Sequence, residues 1–251
     1  MTAPLLSTHQ LAIGYPRRTI AHDISFEINV GEVMAVLGPN GCGKTTLFRT
    51  LLGLAPVISG QVLLNGQSMQ HMRANTIARS IAYVPQINVS LFDFSVIEIV
   101  EMARVTNIAW HAKPSKHDRE CAIAALNKVG MADFSERRFA ELSGGECQLV
   151  FIARALASEA SVILMDEPTA SLDFGNQLRV RDTINTLKTK NVSVVFTTHH
   201  PDEARHCAQR TLTIDRHGAV CVAETNTLLT TDFVAELYGV SVADFARANF
   251  R

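Results

Sequence analysis

The stretch Gly38–Thr45 reads GPNGCGKT, in which three glycines and one lysine stand close together. It satisfies the pattern Gly-x-x-x-x-Gly-Lys-Ser/Thr. Glycine permits positive φ angles, and it lets backbone N–H groups point inward at an anion. A glycine-rich turn that only reverses the chain is the alternative. The full pattern favours a phosphate-binding loop, with the Lys44 ammonium group directed at the phosphates.

The residues on either side place this phosphate loop between a strand and a helix. A continuous apolar run from Val33 to Leu37 predicts a strand covered on both faces, and apolar residues recur at helical spacing after Lys44. The helix N-terminus would add partial positive charge. Lys44 would then reach the β- and γ-phosphates, the Thr45 hydroxyl would hold Mg²⁺, and Thr46 would extend the hydroxyl contacts. The candidate nucleotide-binding residues of the loop are Gly38, Asn40, Gly41, Cys42, Gly43, Lys44, Thr45 and Thr46.

A second motif, VILMDE at Val162–Glu167, ends in two carboxylates. Its four apolar residues predict a buried strand, and ligands bind at the carboxyl ends of such strands in open α/β sheets. Asp166 is placed to organise Mg²⁺, and Glu167 to orient and deprotonate a water for in-line attack. A solvated strand end would explain the pair alone. The phosphate loop in the same chain favours the catalytic interpretation.

Length and composition narrow the class of protein. The chain has 251 residues, which suits one large α/β domain with an inserted subdomain. Basic and acidic residues number 23 and 24, so the basic excess of a nucleic-acid-binding protein is missing. Five cysteines without a C-x-x-C pair argue against a disulfide framework or zinc site. With no N-terminal signal and no run of about 18 apolar residues, we expect a cytoplasmic protein without transmembrane helices.

The order of patterns along the chain indicates how it is organised. Strand patterns precede Gln86 and return after residue 160, whereas 87–155 is mainly helical in pattern. Strands that alternate with helices predict a parallel sheet. We therefore predict one domain over 1–251. Its nucleotide-binding core covers 1–86 and 156–222, a helical subdomain covers 87–155, and a C-terminal helical tail covers 223–251.

A third motif, LSGGE at Leu142–Glu146, precedes an apolar-periodic segment. Alone it would be an ordinary helix cap or a second anion site. Together with the first two motifs it resembles the ATP-binding cassette ATPases, whose signature follows LSGGQ, and glutamate is a common variant at its last position. The resemblance implies that each ATP lies between one subunit's phosphate loop and another subunit's signature. A homodimer results, in which Ser143, Gly144, Gly145 and Glu146 complete the site of the second copy.

Further residues match the family in its usual order over nearly the whole chain. Tyr15 matches the aromatic that stacks on adenine, although a turn-packing tyrosine would look the same. Gln86 matches the glutamine near Mg²⁺ and water, and Asp173 matches the residue at the dimer interface. His199, rather than His200, matches the histidine that contacts the γ-phosphate. The resemblance thus assigns catalysis to Glu167, His199 and Gln86, and Mg²⁺ to Thr45, Gln86 and Asp166, with ATP and Mg²⁺ as cofactors.

The resemblance also implies a fold and a task. The fold is α/β, a P-loop NTPase (RecA-like) core with a mainly parallel sheet, an N-terminal antiparallel β subdomain and an inserted α-helical subdomain. The segment FSVIEIVEMAR and the tail LLTTDFVAELYGVSV resemble ATPases of iron–siderophore, haem, cobalamin and molybdate-type importers. Such a subunit acts at the cytoplasmic face of the membrane with a separate permease, and indirectly with a periplasmic or surface substrate-binding protein.

The surface that would bind the permease is assigned to the segment after Gln86. Leu91, Phe92 and Phe94 are candidate groove residues, and packing inside the helical subdomain would explain them equally well. An exporter subunit is the alternative task. A soluble cassette protein acting on ribosomes or DNA is disfavoured, because such proteins carry two sets of motifs or a long insert. We expect no nucleic-acid partner.

Overall fold

The computed structural model describes residues 3–86, 93–107 and 115–244. The strands are β1 (Leu6–Tyr15), β2 (Arg18–Ile28), β3 (Val33–Leu37), β4 (Ser59–Leu64), β5 (Gln67–Ser68), β6 (Ile81–Val84), β7 (Val162–Met165), β8 (Ser193–Thr198), β9 (Arg210–Ile214) and β10 (Val220–Glu224). The α-helices are α1 (Lys44–Leu51), α2 (Ala74–Ser80), α3 (Val96–Glu101), α4 (Lys116–Lys128), α5 (Gly144–Ala157), α6 (Phe174–Thr189), α7 (Pro201–Cys207), α8 (Thr225–Leu228) and α9 (Thr231–Tyr238). No helix within these ranges has the length and apolarity needed to cross a bilayer.

The central sheet has the strand order β10-β9-β3-β8-β7-β6, and all of its pairs are parallel except β10 with β9. Strand β3 is buried along its whole length because both faces of the sheet are covered. Its alternate residues Val33 and Leu37 pack into one apolar cluster, whereas Met34 and Val36 pack into another on the opposite face. The parallel α/β core predicted from the sequence is confirmed.

A second, antiparallel sheet has the order β2-β1-β4-β5 and packs over α1 and one face of β3. This confirms the expected N-terminal antiparallel sheet. The predicted Asn65-Gly66 turn joins β4 to β5, with φ angles of 50° and 76° that suit a tight hairpin. Strand β1 runs to Tyr15 and so brings this side chain beside the phosphate loop.

The described part of the helical subdomain is built from α3, α4 and α5. Each of these helices begins with a capping box, in which a serine side chain and a carboxylate three residues later bond to each other's backbone N–H. Helix α3 ends at Glu101 and continues as a 3₁₀-helix over Met102–Asn107. The buried Arg104 joins α4 to the end of α5, since it donates to Asp118 at 3.0 Å and to the Ala157 carbonyl at 2.9 Å.

Two predicted boundaries differ from the observed elements. Helix α5 begins in the range assigned to the helical subdomain but continues past residue 155 to Ala157, where it packs against β6 of the core. Strand β10 pairs with β9 as far as Glu224 and Arg210, so residues 223 and 224 belong to a strand rather than to the helical tail. The tail itself contains α8 and α9, as expected.

Candidate active site

The surroundings of the phosphate loop leave too little room for a side chain at two of its glycines. Gly43 has a φ of +114°, and a Cβ atom there would lie 2.6 Å from Cγ2 of Ile20. A Cβ atom on Gly38 would lie 2.7 Å from Sγ of Cys42. Within the described residues, no side chain caps the first turn of α1. The free N–H groups of this helix end therefore remain available to an anion.

A cavity of about 650 Å³ lies over this loop, a size typical of small-molecule sites. Of the residues predicted from the sequence, it is lined by Tyr15, Asn40, Gly41, Cys42, Gly43, Lys44, Thr45, Thr46, Gln86 and Glu167. Sequence reasoning missed Arg18, Thr19, Ile20, Arg216 and His217, which also line it. These residues lie in or beside the β1–β2 and β9–β10 turns. In the sequence, Gly218 indicated the β9–β10 turn, and nothing indicated the other turn.

Lys44 holds its charge inside the loop. The side chain is buried, and Nζ donates to the carbonyl oxygens of Gly38 at 2.8 Å and Pro39 at 3.3 Å. The same atom lies 3.4 Å from Oε1 of Glu167. A buried ammonium group is costly unless it is paired, so an anion entering the loop gains a strong charge-assisted contact.

Asp166 and Thr45, which are expected to hold Mg²⁺, are hydrogen-bonded to each other. The Asp166 carboxylate accepts hydrogen bonds from Thr45 Oγ1 at 3.1 Å, Tyr83 Oη at 3.3 Å and Thr197 Oγ1 at 2.6 Å. Burial and the neighbouring Asp166 charge raise the pKa of Tyr83 to about 12, so this phenol remains a donor. Hydroxyl and carboxylate oxygens side by side at the phosphate loop fit Mg²⁺, which binds few protein ligands together with phosphates.

Glu167 lies between the loop lysine and the histidine predicted to contact phosphate. Its φ is 44°, which is unusual for a residue other than glycine and is characteristic of functional positions. Its backbone N–H donates to Thr197 Oγ1 at 2.8 Å, which holds this conformation. Its two carboxylate oxygens lie 3.4 Å from Lys44 Nζ and 3.4 Å from His199 Nδ1. The carboxylate is therefore positioned at the edge of the cavity, between two cationic or polar groups.

The adjacent residues His199 and His200 differ in burial and in hydrogen bonding. Nδ1 of His199 is buried, lies 3.4 Å from the Glu167 carboxylate and makes no hydrogen bond to any described residue. His200 is exposed, and its backbone N–H donates to Thr198 Oγ1 at 3.0 Å. His199 is thus the member of the pair that is placed beside the Glu167 carboxylate.

Glu203 is a buried carboxylate that sequence reasoning missed. It accepts hydrogen bonds from the hydroxyls of Thr169, just after Glu167, and of Thr198, just before His199. It therefore ties the two segments that carry Glu167 and His199 to the start of α7. Glu203 lies four residues after His199, and nothing in the sequence at that spacing indicated a role for it.

Tyr15 and Gln86 stand at the rim of the cavity. Tyr15 is 49% exposed, so its ring is not packed into a turn and its face can receive a planar base. Gln86 is exposed and is the last described residue before 93. Burial raises the pKa of the Cys42 thiol in the loop, so this group stays neutral beside the phosphates.

The signature residues are elsewhere on the surface. Ser143 and Glu146 form the capping box of α5, with both Ser143 groups bonded to the Glu146 carboxylate at 2.8 Å. Asp173 is exposed and caps α6 by accepting from the Asn176 N–H at 3.0 Å. None of the five predicted interface residues, Ser143, Gly144, Gly145, Glu146 and Asp173, is among the described residues that line the cavity. The N-terminus of α5 is therefore open to a partner rather than to the chain's own phosphate loop.

Comparisons with known proteins agree with this arrangement. Residues 21–170 match the family described as ABC transporter. An uncharacterized ABC transporter ATP-binding protein of Haemophilus influenzae is 40% identical, covering 94% of this chain and 90% of its own. The molybdate import ATP-binding protein MolC of the same organism is 38% identical, covering 93% and 87%. A solved structure described as an inward-facing conformation of a putative metal-chelate type ABC transporter has a TM-score of 0.83 and 38% identity, covering 94% and 89%.

Proposed function

This chain belongs to the ATP-binding cassette transporter ATPases, and we propose that it powers the import of a metal chelate or an oxyanion through a separate membrane permease. The chain is an ATPase. The observation that supports the proposed site most strongly is that Glu167, which lines the cavity with Lys44, contacts both Lys44 and His199, while the next carboxylate, Asp166, is bonded to Thr45 of the loop. The cargo class follows from the relatives, since a molybdate importer and a metal-chelate transporter are among them.

In the proposed mechanism, each side chain has a distinct task. The backbone of the phosphate loop and Lys44 hold the β- and γ-phosphates, and Tyr15 stacks on adenine. Mg²⁺, when bound with ATP, neutralises charge on the phosphates, and the oxygens of Thr45 and Asp166 hold it with Gln86 nearby. Glu167 takes the proton of the attacking water. His199, whose Nδ1 has no described hydrogen-bond partner, is free to contact the γ-phosphate.

The proposed active form is a dimer of two copies of this chain. Ser143 and Gly144 are exposed at the N-terminus of α5, which offers backbone N–H groups to an anion. Leu172 packs within 3.7 Å of where a Gly144 side chain would start, so the signature and the segment leading to Asp173 form one surface. Two-fold symmetry would place this surface of each copy over the phosphate loop of the other.

An apolar cavity between the core and the helical subdomain is the proposed permease-binding groove. Its volume is about 420 Å³, and it is lined mainly by apolar side chains of the turn after α1, of α2, of β6 and of the 3₁₀-helix after α3, together with Arg154 and Ala155 of α5. Leu54 and Met102 at this cavity are 73% and 42% exposed. Of the groove residues expected from the sequence, Leu91 and Phe92 lie outside the described residues, and Phe94 does not line the cavity within the described set. The proposed occupant is an amphipathic helix of the permease on the cytoplasmic face of the membrane.

Replacing Leu54 by aspartate should separate this chain from its permease without changing its basal ATPase rate. A carboxylate in an apolar groove would weaken the contact by about 2 kcal/mol, or roughly 30-fold in affinity. The measurement is co-purification of the tagged chain with the permease in detergent. Val30→Asp, at another exposed apolar residue, which lies in a turn and does not line the groove, is the control. Equal recovery of both variants would contradict the assignment of the groove.

The importer function itself is tested by uptake. Cells lacking the gene should fail to accumulate one radiolabelled cargo from a panel of molybdate, ferric hydroxamate, haem and cobalamin, and the wild-type gene should restore it. Unchanged uptake of all four, with increased retention of any one, would favour the exporter alternative and contradict the proposal.

Replacing His199 by alanine should lower kcat by about 100-fold, because a preorganised polar contact to the developing phosphate charge is removed. Binding of ATP and the thermal unfolding midpoint should change little, since Nδ1 of the imidazole makes no hydrogen bond to the described residues. The measurement is phosphate release at saturating MgATP, with His200→Ala as the matched control. A larger loss in the control variant would move the assignment to His200.

A further inference from the structure

The C-terminal helix α9 touches the catalytic centre at one point. Tyr238, the last residue of α9, donates a hydrogen bond from Oη to the backbone carbonyl oxygen of His199 at 2.7 Å. The two residues are 39 positions apart in the sequence. Neither the tail nor this tyrosine belongs to any of the nucleotide motifs.

The hydrogen bond from Tyr238 helps to hold one peptide unit, the one that joins His199 to His200. The carbonyl of His199 and the N–H of His200 belong to the same planar group. The N–H side is held by Thr198 Oγ1 at 3.0 Å, and Thr198 is itself held by Glu203 at 2.5 Å. The carbonyl side is held by Tyr238. Because the plane is held from both sides, the ψ angle of His199 is restricted, and with it the direction of the Cα–Cβ bond from which the imidazole extends.

A second bond ties Tyr238 to the wall of the nucleotide cavity. Arg216, which lines the cavity, donates from Nη2 to the Tyr238 carbonyl oxygen at 3.2 Å. This carbonyl belongs to the last turn of α9, where Gly239 ends the helix with a φ of 65°, and it has no partner within the helix. Tyr238 thus connects the cavity wall, through its backbone, to His199, through its side chain.

The phenol is well suited to be a permanent donor. Burial raises the pKa of Tyr238, and the nearby Cys42 and Glu167 act in the same direction. The hydroxyl therefore stays protonated over the whole range in which the ATPase can operate.

We propose that Tyr238 is a positioning residue for ATP hydrolysis, which holds the His199–His200 peptide so that the His199 imidazole faces Glu167 and the γ-phosphate. This inference rests on the role of His199 given above as the proposed function. It assigns to the C-terminal tail a part in catalysis, exerted through backbone geometry rather than through contact with ATP.

A purely structural role for the hydroxyl would predict a different behaviour. Helix α9 is docked by the buried side chains Val234, Ala235 and Leu237, so its attachment does not depend on the Tyr238 hydroxyl. Phenylalanine at position 238 would keep the ring packing and remove only the donor. The effect of that change can therefore be read on catalysis rather than on folding.

The first measurement is the ATPase rate of Tyr238→Phe. We expect kcat to fall by about tenfold, since small misplacement of a catalytic group can cost up to about 100-fold, while KM for ATP is unchanged. Glu236→Gln, an equally small change on the exposed side of the same helix, should leave both parameters at the wild-type values. A wild-type kcat in Tyr238→Phe, or a loss that appears equally in Glu236→Gln, would overturn the proposal.

The second measurement repeats Tyr238→Phe in the His199→Ala background. If Tyr238 acts through His199, the residual activity of His199→Ala should not fall further when the hydroxyl is removed. The same fold loss in both backgrounds would overturn the link between the two residues while leaving the role of His199 intact. Full activity in the single variant His199→Ala would instead contradict the proposed function of that histidine.

Discussion

Replacing Glu167 by glutamine is expected to leave ATP binding intact and to lower kcat by about 10³-fold. Glutamine has the size of glutamate and can keep the contacts with Lys44 and His199, but it cannot accept the proton of the attacking water. The unusual backbone angle at this position is held by Thr197 and does not depend on the carboxylate. The change therefore removes one chemical step and little else.

Phosphate release under saturating MgATP measures the rate, and a fluorescent ATP analogue measures binding. Because hydrolysis is blocked while both halves of the site are present, gel filtration with MgATP should show a trapped dimer of Glu167→Gln. Glu120→Gln, on the exposed face of α4, is the matched control. Near-normal turnover in Glu167→Gln would exclude Glu167 as the general base.

Replacing Lys44 by alanine is expected to weaken ATP binding on the order of 100-fold or more, because a buried charged contact to the phosphates is lost. The lysine also bonds two carbonyl oxygens of its own loop, so its loss loosens the loop as well. Both effects act on the bound nucleotide, and the rate at saturating ATP should fall together with the affinity.

Titration with the same fluorescent analogue tests this second expectation. Lys128→Ala, at the exposed end of α4, removes a positive charge of equal size and serves as the control. The thermal unfolding midpoint of each variant separates loss of binding from loss of fold. If Lys44→Ala bound ATP as tightly as the control, the phosphate-loop assignment would be wrong.

The sequence was informative where chemistry and local structure coincide. The phosphate loop and the VILMDE strand combine a short-range pattern with a functional motif, and both lie where they were predicted. Strand β9 was missed because three of its five residues are polar or charged. Thr211 and Thr213 are buried in a central strand, and their hydroxyls are satisfied by Thr225 and by the Cys221 carbonyl. A threonine-rich strand of this kind looks like an exposed segment until its hydrogen-bond partners are known.

The remaining site residues could not be found from spacing at all. Arg216, Glu203 and Tyr238 come from three different elements, and each acts through a contact with a residue distant in the chain or through a backbone group. No periodicity or motif links a C-terminal tyrosine to the carbonyl of a histidine 39 positions earlier. Such contacts are created by tertiary packing and become visible only in the folded structure.

Helix α5 has a mechanical consequence under the proposed function. Its N-terminus carries the signature, whereas Arg154 and Ala155 near its C-terminus line the permease groove. With 14 residues it is about 21 Å long at 1.5 Å per residue, and a packed helix of that length does not compress. A displacement of Ser143, when ATP draws two copies together, is therefore passed along the helix to the groove. Helix α5 would thus transmit movement from the signature, which contacts ATP at its N-terminus, to the permease groove near its C-terminus.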